Sequence, residues 1–142
     1  GKLSKPKGYF DYKVCGLETL WWSKKGSKFE ISNPKTLRWK AFLIVPQFVD
    51  EKLFNEAIKI AALKKTEVPY ALASLEDINE GRSIQYLHIG PYDKIAPTIE
   101  LLHNYMKENK LKMTGKHHEI YISDPRRTKP EKLKTIIRYS VK

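Results

Sequence analysis

The sequence predicts an α+β fold, an antiparallel sheet with helices on one face. Three observations lead there. Two segments repeat apolar residues at helical spacing, several short segments are rich in β-branched and aromatic residues, and residues 83–142 read strand, helix, strand, strand in order. With 142 residues and 41% hydrophobic content, the chain can bury one good core.

Residues 8–22 are rich in strand-forming types and read as one long or bent strand, with Gly16 at the bend. A polar loop holding Gly26 and Asn33-Pro34 leads to a second strand, Trp39 to Val45, closed by Pro46. Asp50 caps a helix from about Glu51 to Lys65, where Phe54, Ala57, Ile58, Ala61 and Ala62 share a side that suits packing on a sheet. Ala71 to Ile78 alternates enough for a short strand before the Asn79-Glu80-Gly81 turn. Ile84 to Ile89 reads as a strand ended by Gly90-Pro91. A helix from Asp93 to about Asn109 follows, with Ile95, Ile99, Leu102 and Met106 in one stripe and Pro97 tolerated in its first turn. His117 to Ser123 and Thr135 to Val141 complete the set. Residues 8–46 look like the last two strands of a second such unit, and the basic start, residues 1–7, reads as a linker.

Composition narrows the function classes. A single cysteine, Cys15, excludes an internal disulfide framework and fits a reducing, cytoplasmic location. No apolar run is long enough to span a membrane, so no membrane partner is expected. The formal charge of +11 raises direct nucleic-acid binding, but the lysines are scattered. Their denser runs, Lys107 to Lys116 and Arg126 to Lys134, are interrupted by Glu108 and Glu131, which favours a solvated face over a phosphate-tracking patch. The histidines have no metal-ligand spacing, and no phosphate loop or serine-hydrolase elbow occurs, so neither metal nor cofactor is expected.

The stretch His117-His118-Glu119-Ile120-Tyr121-Ile122-Ser123-Asp124-Pro125 puts a carboxylate inside a strand. Alternation sends His117, Glu119 and Tyr121 to one face and His118, Ile120 and Ile122 to the other. With the isoleucine face packed on helices, Glu119 and Tyr121 line the opposite side of the sheet. A carboxylate and a phenol two residues apart can hold a polar or cationic ligand or do acid/base work. The adjacent Trp21 and Trp22 must point to opposite faces. Tyr92 lies in a Gly-Pro-Tyr-Asp turn that can overhang a site.

The segments Gly8-Tyr9-Phe10-Asp11-Tyr12, Leu17-Glu18-Thr19-Leu20-Trp21-Trp22, His88-Ile89-Gly90-Pro91-Tyr92-Asp93 and His117 through Lys134 resemble the GyrI-like small-molecule-binding family. Family members are built from two strand-helix-strand-strand units around a pseudo-twofold cleft. The resemblance therefore implies a single domain over 1–142, N-terminally incomplete. Residues 8–46 are the remainder of unit one without its opening strand and helix, 50–82 a connecting helix and strand, and 83–142 unit two. It also implies that Glu119 lies at the floor of a ligand cleft with Tyr121 beside it as the catalytic pair. Trp21, Trp22, Tyr92 and His117 are the expected ligand contacts.

The same resemblance extends to proteins that hydrolyse cyclopropane-bearing, DNA-alkylating natural products, so detoxification by water addition is the leading expectation. The ligand it implies is a flat hydrophobic small molecule, cationic ones included. Two other readings share the cleft or the name: a non-catalytic drug-sensing or sequestering module, which would need a DNA-binding partner protein to regulate transcription, and a protein-interaction module acting on gyrase.

Overall fold

A computed structural model describes residues 3–142, so Gly1 and Lys2 of the expected linker lie outside the described residues, and the rest of it carries no helix or strand. The chain divides into two compact units, one formed by the residues up to Cys15 with Ile44–Asn79, the other by Gly16–Leu43 with Glu80–Lys142.

The second unit holds the sheet. Its strands are β1 (Glu18–Ser23), β2 (Leu37–Phe42), β3 (Ser83–Ile89), β4 (His117–Tyr121) and β5 (Lys134–Ser140), in the order β2-β1-β4-β5-β3. Every neighbouring pair is antiparallel. A helix, α2 (Ala96–Glu108), follows a short 3-10 turn at Tyr92–Lys94, so the helix begins later than its Asp93 signal suggests. Pro97 sits in the first turn, where the missing N–H has no helical acceptor to lose. Ile95, Ile99, Leu102 and Met106 are buried with Ile137, Tyr139 and Val141 to form the core.

That core settles which face the helix covers. Glu119 pairs directly with Ile137 across β4 and β5, and directly paired residues share a face. Helix α2 therefore packs on the Glu119 face, not on the isoleucine face as the alternation argument assumed. The reason lies in β5: Ile137 and Tyr139 offer the apolar surface that the α2 stripe needs, whereas Ile122 is 56% exposed.

The first unit contains α1 (Glu51–Lys64), and Asp50 caps it by accepting a hydrogen bond from the Leu53 N–H at 2.8 Å. Two strand expectations fail in this unit. Residues 8–15 are not extended into the sheet, because Tyr9, Phe10 and Tyr12 spend their apolar surface on the ring of Phe48 instead, at centroid distances of 5.2, 5.2 and 5.9 Å. Residues 71–78 form no strand; Tyr70–Leu72 is a 3-10 turn, and the Tyr70 hydroxyl donates to the Ala61 carbonyl of α1 at 3.0 Å.

Gly16 marks the point where the chain reaches β1. A Cβ there would lie 2.6 Å from the backbone oxygen of Tyr121, so glycine is required by close approach of two backbones. Gly16→Ala is expected to destabilise the protein by about 1–3 kcal/mol, because a backbone oxygen cannot swing aside as a flexible side chain can. A urea titration would measure it. No loss of stability would mean that the end of β4 yields freely.

Candidate functional site

β4 lies between β1 and β5, so its side chains are surrounded on both flanks. The register places Thr19 opposite Glu119 and Trp21 opposite His117. On the other flank Thr135 lies opposite Tyr121. Glu119 is only 5% exposed. Burial of a carboxylate is tolerable only where donors replace the lost water, and here both oxygens have one. His117 Nε2 lies 2.7 Å from Oε2, and the Tyr121 hydroxyl lies 3.1 Å from Oε1.

The donors belong to longer chains whose direction follows from the groups involved. An indole N–H can only donate, so Trp21 Nε1 donates to Thr19 Oγ1 at 2.8 Å. The Tyr121 proton is directed at Glu119, so the 2.9 Å bond between Thr19 and Tyr121 has the threonine hydroxyl as donor. Trp21, Thr19 and Tyr121 thus form a relay ending on one carboxylate oxygen. On the other side, the Tyr139 hydroxyl lies 2.5 Å from His117 Nδ1, and Tyr139 is 1% exposed. Aligned dipoles in such a chain strengthen one another where the dielectric is low.

The same carboxylate governs the phenols around it. Burial, reinforced by the negative charge of Glu119, holds both Tyr121 and Tyr139 far above the usual tyrosine range. Tyr92 is raised in the same way, by burial first and then by Glu119 and Asp124. All three remain protonated donors at physiological pH.

Of the residues singled out from the sequence, the structure brings Trp21, His117, Glu119, Tyr121 and Tyr92 together. The Tyr92 ring stands edge-on to that of Tyr121, with centroids 5.7 Å apart. Trp22 faces the other side of the sheet, where the Lys116 ammonium sits 3.8 Å from the centre of its ring. Phe29 packs on the His117 ring at 5.4 Å. Sequence reasoning missed Thr19, Tyr139, Thr135 and Trp39. Trp39 extends the aromatic surface from Trp21 at 6.2 Å and is 61% exposed, so it is open to a ligand. Thr135 is fully buried, and its hydroxyl has no hydrogen-bond partner among the described residues. Only the strand register reveals these neighbours, and no spacing within one segment encodes it.

The other histidines hold structure. His88 Nε2 lies 3.1 Å from the Pro91 carbonyl and must donate to it, leaving Nδ1 to accept from the Thr98 hydroxyl at 2.8 Å. This ties β3 to the start of α2. His118, on the face opposite Glu119, is buried between two carboxylates: Glu18 Oε1 is 2.7 Å from Nε2 and Glu80 Oε2 is 2.8 Å from Nδ1. Arg138 completes this cluster by donating to Glu80 Oε1 at 3.0 Å. Burial pushes the Glu80 carboxyl up, but the hydrogen bonds from His118 and Arg138 outweigh it and hold Glu80 below its ordinary value.

Among the described residues no histidine, cysteine or carboxylate group is arranged to hold a metal ion, and no helix is long and apolar enough to cross a membrane.

Comparisons with known proteins agree with this architecture. Residues 45–142 match the model of the GyrI-like small molecule binding domain. An uncharacterised conserved protein from Listeria innocua is 37% identical, with a TM-score of 0.87 over 95% of this chain and 67% of its own. A hydrolase from Listeria innocua is 33% identical, with a TM-score of 0.82 over 99% of this chain and 69% of its own. Another solved Listeria innocua hydrolase is 35% identical, with a TM-score of 0.85 over 99% of this chain and 70% of its own. Comparison with curated proteins gave no match. With a family match over most of its length and a solved relative 37% identical across 95% of it, the chain belongs to the GyrI-like small-molecule-binding domain family.

Proposed function

We propose that this domain is a hydrolase that adds water to flat, hydrophobic, cyclopropane-bearing alkylating compounds and so detoxifies them. The observation that carries the reading is the buried Glu119 carboxylate, served by donors on both oxygens and flanked by Trp21, Tyr121 and Tyr92. The similarity to Listeria innocua hydrolases supports the reaction class. A flat ligand gains from stacking on exposed aromatic rings, and Trp39, with the half-buried Trp21 beside it, offers such a surface.

In the reaction, the water oxygen attacks the strained ring carbon while Glu119 removes its proton. The ring C–C bond breaks, and its electron pair passes through the conjugated system to the carbonyl oxygen. With Glu119 now carrying the water's proton, the Tyr121 hydroxyl, kept protonated by burial and by Glu119, turns from the carboxyl and donates a hydrogen bond to that oxygen as charge develops. That oxygen then takes up, by way of solvent, the proton held by Glu119, so the product is the ring-opened alcohol with one water added and the carboxylate restored.

Tyr121→Phe is expected to lower turnover by about tenfold or more while the domain stays folded, since only the hydroxyl and its bonds to Thr19 and Glu119 are removed. Steady-state kinetics beside a thermal melt would check it. Full activity in a folded Phe variant would remove Tyr121 from the mechanism. A binding-only module would show tight, saturable binding of an aromatic probe and no product.

A further inference from the structure

His117 stands beside Glu119 but cannot touch a ligand. Its side chain has no exposed surface. What it does instead follows from its two nitrogens. Tyr139 is almost wholly buried, and among the described residues its hydroxyl has one hydrogen-bond partner, His117 Nδ1. A buried phenol with a single partner must direct its proton there, because an O–H without an acceptor is costly. Nδ1 is then the acceptor, and the ring is the neutral tautomer with its proton on Nε2. That proton points at Glu119 Oε2.

We propose that Tyr139 and His117 are positioning residues that fix the rotamer and hydrogen bonding of Glu119, with Tyr139 selecting the histidine tautomer. The pair mirrors the Trp21, Thr19 and Tyr121 relay on the other oxygen, so the carboxylate is held from both sides. The titratable groups around it are His117 and Tyr121 on β4, Tyr139 on β5, His103 on α2 through its ring contact with Tyr139 at 5.3 Å, and Tyr92 from the turn before α2, with Asp124 near Tyr92. Burial holds the His103 imidazole below the usual histidine range. An arrangement in which a third group sets the tautomer of a histidine bonded to the reacting residue is a recurrent catalytic device.

Two arms test this. The kinetic arm rests on the hydrolase reading, and the spectroscopic arm does not. Proton–nitrogen correlation NMR of the histidine rings should show His117 as the neutral Nε2–H tautomer, and Tyr139→Phe should convert part of it to the Nδ1–H form. An Nδ1–H or doubly protonated ring in the wild type, or a tautomer indifferent to Tyr139→Phe, overturns the proposal. With a cyclopropane-bearing alkylator as substrate, Tyr139→Phe should lower kcat by about tenfold at unchanged KM. His117→Gln, which keeps an N–H donor, should be about tenfold more active than His117→Leu. Equal activity of the two folded His117 variants overturns the proposal as well. If the wild type shows no turnover, the hydrolase reading fails while the tautomer measurement still decides the positioning role.

Discussion

Glu119→Gln is expected to lower turnover by about a hundredfold to ten-thousandfold, the usual contribution of a positioned general base. The shape of the site stays nearly the same, because the two side chains differ only in one oxygen replaced by a nitrogen. The hydrogen bonding does not. Two donors, His117 Nε2–H and the Tyr121 hydroxyl, converge on the carboxylate. A carboxamide offers an acceptor to one of them and a second donor to the other, leaving a buried mismatch that costs about 1–3 kcal/mol. Lower stability should therefore accompany the loss of activity. Binding of an aromatic ligand should survive, since Trp21, Trp39 and Tyr92 are untouched. Rapid-quench kinetics, a urea titration and a binding titration separate these three effects. Turnover within a few-fold of the wild type would exclude Glu119 as the base.

The largest effect on stability is expected on the opposite face. His118→Phe keeps the ring volume beside Phe42, whose ring lies 5.4 Å away, but leaves Glu18 and Glu80 without the group that bridges them. Removing His118 leaves the buried Glu18 carboxylate without its partner, at a cost of about 3 kcal/mol or more, while Glu80 keeps Arg138. For a chain of this size that corresponds to a fall in Tm of roughly 10 °C.

The pH dependence gives the sign. Glu80 is held below its ordinary value of 4.5, so its contribution to wild-type stability is complete above that value and is lost as the pH falls through the lower, folded one. The variant loses the part of that contribution which comes from His118 and keeps the part from Arg138. The gap between wild type and variant should therefore be widest at neutral pH and narrow below about pH 4. Thermal melts at both pH values would show it, and a gap independent of pH would mean that packing, not charge, holds the cluster.

Much of the second unit was legible because its signals are local. The Ile95, Ile99, Leu102 and Met106 stripe reports a helix with one buried side, and that side is buried. Alternation puts His117, Glu119 and Tyr121 on one face and separates Trp21 from Trp22, since strand geometry leaves no other arrangement. The first unit was less legible for a related reason. Tyr9, Phe10 and Tyr12 have strand-forming side chains, yet composition cannot tell an aromatic that alternates in a sheet from one that clusters on Phe48. Gly16 reads as a bend, and its actual role, admitting the Tyr121 backbone oxygen, depends on a residue far along the chain.

The partners of Glu119 escaped for the same reason. Tyr139 and Thr19 come from β5 and β1, and their nearness to β4 is fixed by strand order and register. The face covered by α2 was misjudged because β4 alone carries isoleucines on its other side, while the packing surface is set by Ile137 and Tyr139 on its neighbour. One strand's pattern cannot outvote the adjacent strand it pairs with.

The central claim is that Glu119 delivers water to a strained ring. Incubating the protein with a cyclopropane-bearing alkylator in heavy-oxygen water, with mass spectrometry of the small molecule, tests it most directly. The expected product is heavier by one water, carries the heavy oxygen, and is formed by the wild type and not by Glu119→Gln. An unaltered compound recovered from the wild type, or equal conversion by both proteins, would contradict it.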